Sequence, residues 1–134
     1  MTGENRKQNV ADELAKANDA FRAARTLIDA SLPNDAVSRA YYAAFHVMRA
    51  ALLSRGVEAK THAGTMKLFN RELTQSGILP SFNKLLTGLQ GSREAADYEA
   101  TVSFTGDEAR ALLADAESFH VAVQELLRRD GWLT

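Results

Sequence analysis

Ser38-Arg39-Ala40-Tyr41-Tyr42-Ala43-Ala44-Phe45-His46 decides the reading of this chain. It has the composition of a buried helix, yet it sets an arginine, two tyrosines and a histidine among small alanines. At about 100° per residue, Arg39, Tyr42, His46 and Arg49 fall within an arc of roughly 80°. Val37, Tyr41, Ala44, Phe45, Met48 and Leu52 fall on the other side. One helix thus offers a core face and a second face suited to a partner or a ligand.

Outward from this stretch, the signals are helical throughout. Pro33 suits the first turn of the helix, Asn34 and Asp35 complement its dipole, and Gly56 stops it, so it spans about Pro33 to Ser54. Upstream, Leu14, Phe21 and Ile28 recur every seven residues, with Ala17, Ala24 and Leu27 in the neighbouring rows. This predicts an amphipathic helix over about Asn9 to Ala30, with residues 1–8 as a disordered tail. Downstream, Thr61 is a good N-cap for a third helix carrying His62, Met66, Phe69 and Leu73 on one face, closed by Gln75-Ser76-Gly77. Pro80 opens a fourth, with Phe82, Leu85, Leu86 and Leu89, in which Gly88 and Gly91 predict a kink near residue 90. Thr101 to Phe104 reads as an extended loop. Thr105-Gly106-Asp107-Glu108 fits a capping box, and the last helix carries Leu112, Ala116, Phe119, Val123 and Leu126 until Gly131 ends it. The fold class is all-α, an antiparallel up-and-down bundle of four to five helices in one domain, residues 9–130.

A chain of 134 residues can bury a real core without staples. The absence of cysteine removes disulfides, thiolate metal sites and a cysteine nucleophile, and fits a reducing, cytoplasmic setting. There is no apolar leader and no run of membrane-spanning length, so no membrane is expected as a partner. A formal net charge of −1 gives no global attraction to nucleic acid, and any such contact must come from a local cluster.

Three groups carry the candidate chemistry. On the second helix, His46 has the pKa range of a general base or acid, Arg39 can hold a phosphate, and Tyr42 can stack on a base. The same face equally suits packing or a homodimer seam. In Arg93-Glu94-Ala95-Ala96-Asp97-Tyr98, Arg93 and Asp97 are four apart, either pairing on the surface or turning Arg93 inward with Asp97 or Tyr98 orienting it. Lys60-Thr61-His62 at a helix start would favour an anion, although a capped helix with a solvated lysine accounts for it as well. His120 sits beside a core stripe and reads as structural. The histidine spacing gives no metal site, the singly placed glycines give no phosphate loop, and no cofactor is implied.

Taken in order, Ser38–His46, then Lys60-Thr61-His62-Ala63-Gly64, then Arg93–Tyr98 resemble the small prokaryotic branch of the HEPN domains, the higher eukaryotes and prokaryotes nucleotide-binding family, over about residues 10–127. The resemblance implies a helical bundle that forms homodimers, often encoded beside a nucleotidyltransferase as a toxin–antitoxin pair. Active relatives cleave RNA without a metal, through an arginine and a histidine separated by four to six residues. Arg93 matches that arginine, but the residue five further on is Tyr98, with a pKa near 10 and poorly suited to act as a base at neutral pH. Arg39 and His46 also satisfy the spacing, on a different helix.

The resemblance therefore implies a dimeric module that binds a nucleotide, RNA or a nucleotidyltransferase antitoxin through Arg39, Tyr42, His46, Lys60, His62, Arg93, Asp97 and Tyr98. The alternatives are a ribonuclease toxin with Arg39, His46 and Arg93 as its catalytic candidates, and a purely structural interaction module.

Overall fold

The computed structural model describes residues 3–133. Five helices follow one another: α1 (Gly3–Asp29), α2 (Pro33–Ser54), α3 (His62–Phe69), α4 (Asn83–Tyr98) and α5 (Gly106–Arg129). They form the expected up-and-down bundle, with no strand among the described residues. No helix among those residues is long and apolar enough to cross a membrane.

Helix α2 is the axis of the bundle, because it packs against α1, α3, α4 and α5 alike. Its alanines make this possible: Ala36, Ala40, Ala43, Ala44, Ala50 and Ala51 are all buried and let neighbouring backbones approach closely. Val37, Tyr41, Met48 and Leu52 fill the space between, meeting Leu14, Phe21 and Ile28 of α1 and Phe119, Val123 and Leu126 of α5 in one continuous core. Each large apolar side chain so buried contributes about 1.5–3 kcal/mol. On α5 the leucines buried in the core are Leu113, Leu126 and Leu127, while the predicted Leu112 is half-buried beside Leu113.

Local hydrogen bonds set the helix ends. The amides of Gly56 and Val57 bond back to Leu53 and Leu52, and those of Gly131 and Trp132 to Arg128 and Leu127, the pattern of a left-handed residue closing a helix. The turn after α1 uses the same device with Ser31, a non-glycine residue at φ 64°. Thr105 and Glu108 form the predicted capping box reciprocally, at 3.1 and 2.9 Å.

Three local expectations are corrected. Residues 3–8 of the expected tail belong to α1, helped by Glu4 at the positive helix end and by Gln8 donating to Asp12 at 2.8 Å. Met1 and Thr2 lie outside the described residues. Helix α4 continues unbroken through Gly88 and Gly91, since Leu86 and Leu89 anchor it in the core on either side of Gly88. Finally, α3 gives way to a π-helical segment, Asn70–Gln75, that keeps Leu73 fully buried.

Asn34 joins two distant parts of the chain. Its side-chain amide donates to the Val102 carbonyl at 2.9 Å and accepts from the Phe104 amide at 2.8 Å. The expected extended loop is thereby fastened to the first turn of α2. That fastening holds the end of α4 beside the first half of α2.

Candidate functional site

Arg93 projects from α4 toward the tyrosines of α2. Its guanidinium carbon lies 4.9 Å from the Tyr41 ring centroid, 5.8 Å from Tyr42 and 5.9 Å from Tyr98. The side chain keeps only 11% exposure, and its Nε is shielded with no hydrogen-bond partner. Of the two arrangements the sequence allows, Arg93 therefore takes the inward one. Asp97 accompanies it at 3.8 Å, beyond hydrogen-bond range, and accepts from the Ser38 hydroxyl at 3.3 Å. An arginine stacked on rings keeps its charge and its planar fork of donors.

His62 joins this group from the first residue of α3. Thr61 caps that helix by accepting from the Gly64 amide at 2.9 Å. A side chain at Gly64 would come within 2.7 Å of the Thr61 hydroxyl, so glycine there preserves the cap. The cap fixes the start of the helix, and the His62 ring stacks on Phe45 with centroids 4.1 Å apart and planes at 18°. Its Nδ1 lies 2.9 Å from the Tyr41 hydroxyl. Burial, then the positive charges of Arg93, His46 and Arg49, lower the His62 pKa below the ordinary histidine value, so the ring is neutral near pH 7. Burial raises the Tyr41 phenol, outweighing the opposing pull of Arg93, so its hydroxyl keeps its proton.

Across Phe45 the arrangement differs. His46 Nδ1 meets Glu13 Oε2 at 2.7 Å, and Arg49 Nε meets Glu13 Oε1 at 3.2 Å. Glu13, on α1, is 13% exposed and holds both side chains at once. Arg39 is exposed, with its guanidinium carbon 4.8 Å from the Tyr42 ring centroid. There Arg39, Tyr42 and His46 line a groove with Lys16 and Asp19 of α1. Lys60 sits elsewhere, in a groove with Asp12, Glu13, Arg49 and Glu58.

The structure thus divides the candidate residues. Arg93, Asp97, Tyr98, Tyr42 and His62 come together at the junction of α2, α3 and α4. Arg39 touches that group only through Tyr42, His46 turns to α1, and Lys60 stands apart. Three participants escape a reading of the sequence. Tyr41 falls on the core face, which is correct for its ring, but a buried phenol needs a partner for its hydroxyl, and that need is the available signal. Ser38 is buried and reaches Asp97 across 59 residues of sequence, and Glu13 reaches His46 across 33, so spacing offers no sign of either.

Residues 10–126 match the HEPN domain. The chain is 34% identical over 117 residues to the protein named "Putative toxin MJ0605" of Methanocaldococcus jannaschii, covering 87% of this chain and 85% of that one. It is likewise 34% identical over 118 residues to a UPF0332 protein of Gloeobacter violaceus, covering 87% of this chain and 94% of the relative. A UPF0332 protein of Thermotoga maritima is 28% identical over 113 residues, covering 84% and 86% of the two chains. The domain match runs through every helix that contributes to the Arg93 cluster, and the chain belongs to the HEPN domain family.

Proposed function

We propose that this chain is a toxin-type HEPN protein that binds the phosphodiester backbone of RNA, or a nucleotide, at Arg93. The observation that carries the reading is the state of that arginine. It is stacked among three rings, its Nε has no partner, and its carboxylate companion stands off at 3.8 Å. A phosphate oxygen offers a guanidinium a stronger, charge-assisted contact than this loose pair. Tyr98, 76% exposed at the end of α4, adds an aromatic face on which a base can stack. The name of the Methanocaldococcus jannaschii relative supports the toxin-type assignment. A homodimer and a nucleotidyltransferase antitoxin belong to the same reading, and sedimentation of the chain alone and with its genetic neighbour's product tests them.

The binding test uses fluorescence anisotropy with a labelled, fully 2′-O-methylated RNA strand, which cannot be cleaved through its 2′-hydroxyls. Arg93→Ala weakens binding about 10- to 100-fold, the range for one contact to a charged group. Equal affinity of wild type and Arg93→Ala would remove the reading. The Tyr98 position, where active relatives carry histidine, supplies no base at neutral pH, so this proposal concerns binding alone.

A further inference from the structure

We infer that the groove between α1 and α2, lined by Lys16, Arg39 and Tyr42, is a second phosphate subsite. It takes the phosphodiester next to the one on Arg93, so the ligand is a strand and not a single nucleotide. The inference rests on the binding reading above and deepens it, by naming the smallest ligand that fills the site.

Tyr42 connects the two places. The guanidinium carbon of Arg39 lies 4.8 Å from its ring centroid and that of Arg93 lies 5.8 Å from it. The ring itself is held edge-on by Tyr41, with centroids 5.4 Å apart and planes at 72°, and by His62, at 5.8 Å and 80°. Two cations on one fixed ring are close enough for neighbouring phosphates of one strand to reach one each. Stacking also restrains Arg39 before any ligand arrives, while its planar fork of donors stays available.

The other wall comes from α1. Lys16, Ala20 and Ala23 follow one another along one helix face, at the spacing i, i+4, i+7. The two alanines are small, and the space they leave opposite Arg39 and Tyr42 is an open groove of about 400 Å³. That is within the size range of ligand sites, and an open groove lets a chain enter and leave.

Charge separates this groove from the one that holds Lys60. There Asp12, Glu13 and Glu58 outnumber Arg49 and Lys60, which disfavours an anion. Here the two cations, Lys16 and Arg39, face one carboxylate among the described lining residues, Asp19, which pairs with Arg22 at 3.5 Å. Neither Lys16 nor Arg39 forms an ion pair among the described residues. His46 lines the groove with its Nδ1 committed to Glu13 at 2.7 Å. In a chain whose formal net charge is −1, such a local excess of cations is what attracts a phosphate backbone.

The experiment titrates the full chain, followed by NMR, with 2′-O-methylated strands carrying one phosphodiester (a dinucleotide) or two (a trinucleotide), and with a nucleoside triphosphate. Wild type is expected to bind the two-phosphate strand about 10-fold more tightly than the one-phosphate strand, the lower range for a contact to a charged group. Arg39→Ala removes that gain and leaves the one-phosphate strand within about twofold, whereas Arg93→Ala weakens both strands. On a longer methylated strand, Arg39→Ala lowers the slope of log affinity against log salt by about 0.7, and Arg39→Lys, which keeps the charge, restores it. If Arg39→Ala keeps both the gain and the slope, the subsite is overturned and the Arg93 reading stands. If its loss of affinity comes with a change in sedimentation, Arg39 belongs to a seam between copies and the inference also fails. A triphosphate bound as tightly as the two-phosphate strand, with the same dependence on Arg39, overturns the strand as ligand. Absence of binding by wild type removes both readings.

Discussion

Phe45 separates two groups built from the same residue types, an arginine and a histidine each, in opposite electrostatic states. On the α1 side, His46 and Arg49 share the carboxylate of Glu13 at 2.7 and 3.2 Å. On the α4 side, Arg93 lies on tyrosine rings, and His62 bonds a neutral phenol. The first group is neutralised by a partner within the same chain and serves to tie α1 to α2. The second keeps a cation and an imidazole side by side, with the Asp97 carboxylate standing off at 3.8 Å. The tyrosine rings hold Arg93 in place and leave its Nε unpartnered, whereas the Glu13 carboxylate engages the Nε of Arg49, and that difference separates a site from a strut.

Removing the strut's carboxylate breaks the comparison most severely. Glu13→Ala leaves His46 and Arg49 facing each other without an anion and lowers stability by about 1–3 kcal/mol, the range for contacts to charged groups. The same change frees Arg49 and increases affinity for a 2′-O-methylated RNA strand. Urea unfolding and anisotropy read the two effects, and a variant unchanged in both would erase the distinction between the two groups.

The third histidine sharpens the contrast through pH. His120 stacks on Phe21 at 4.9 Å, with Nε2 shielded and unpartnered, and burial lowers its pKa. The unfolded chain titrates near about 6.5, so between that value and the lower folded one the unfolded state binds more protons. Stability is therefore full above about pH 6.5 and declines as the pH falls through the folded value. His62 adds a contribution of the same sign. His120→Phe keeps the stacking and flattens the acid decline of Tm while leaving RNA affinity unchanged; an unaltered pH profile would show that His120 is not the group responsible.

A smaller effect comes from the platform that carries Arg93. A side chain at Gly88 would meet nothing within 4 Å. Gly88→Ala should stabilise α4 by about 0.5–1 kcal/mol through helix propensity, visible as a raised urea midpoint. A loss of stability instead would mean that this helix face is closely covered.

The fold is largely legible in the sequence because periodicity and capping are local. Leu14, Phe21 and Ile28 mark α1, Pro33 and Gly56 bracket α2, and Thr105 with Glu108 marks the start of α5. What escapes is set by contacts distant in sequence. Gly88 and Gly91 predict a kink that core anchoring by Leu86 and Leu89 overrides. The site is half legible. Arg93, Asp97 and His62 stand out by residue type, but the hydroxyl of Tyr41 is concealed by the burial of its ring, and Glu13 lies on another helix with no spacing to announce it. His46 stands out by its face on α2, yet a carboxylate on α1 determines its state.

The most direct test of Arg93 as the phosphate contact is the salt dependence of RNA binding. Affinity for the 2′-O-methylated strand is measured between low and moderate salt for wild type, Arg93→Ala and Arg49→Ala. A single-strand phosphate contact contributes about 0.7 to the slope of log affinity against log salt. Arg93→Ala is expected to lose affinity together with about that much slope, while Arg49→Ala, whose arginine Glu13 already holds, keeps the wild-type line. Identical slopes for wild type and Arg93→Ala, or the loss appearing in Arg49→Ala alone, would contradict the assignment of the phosphate to Arg93.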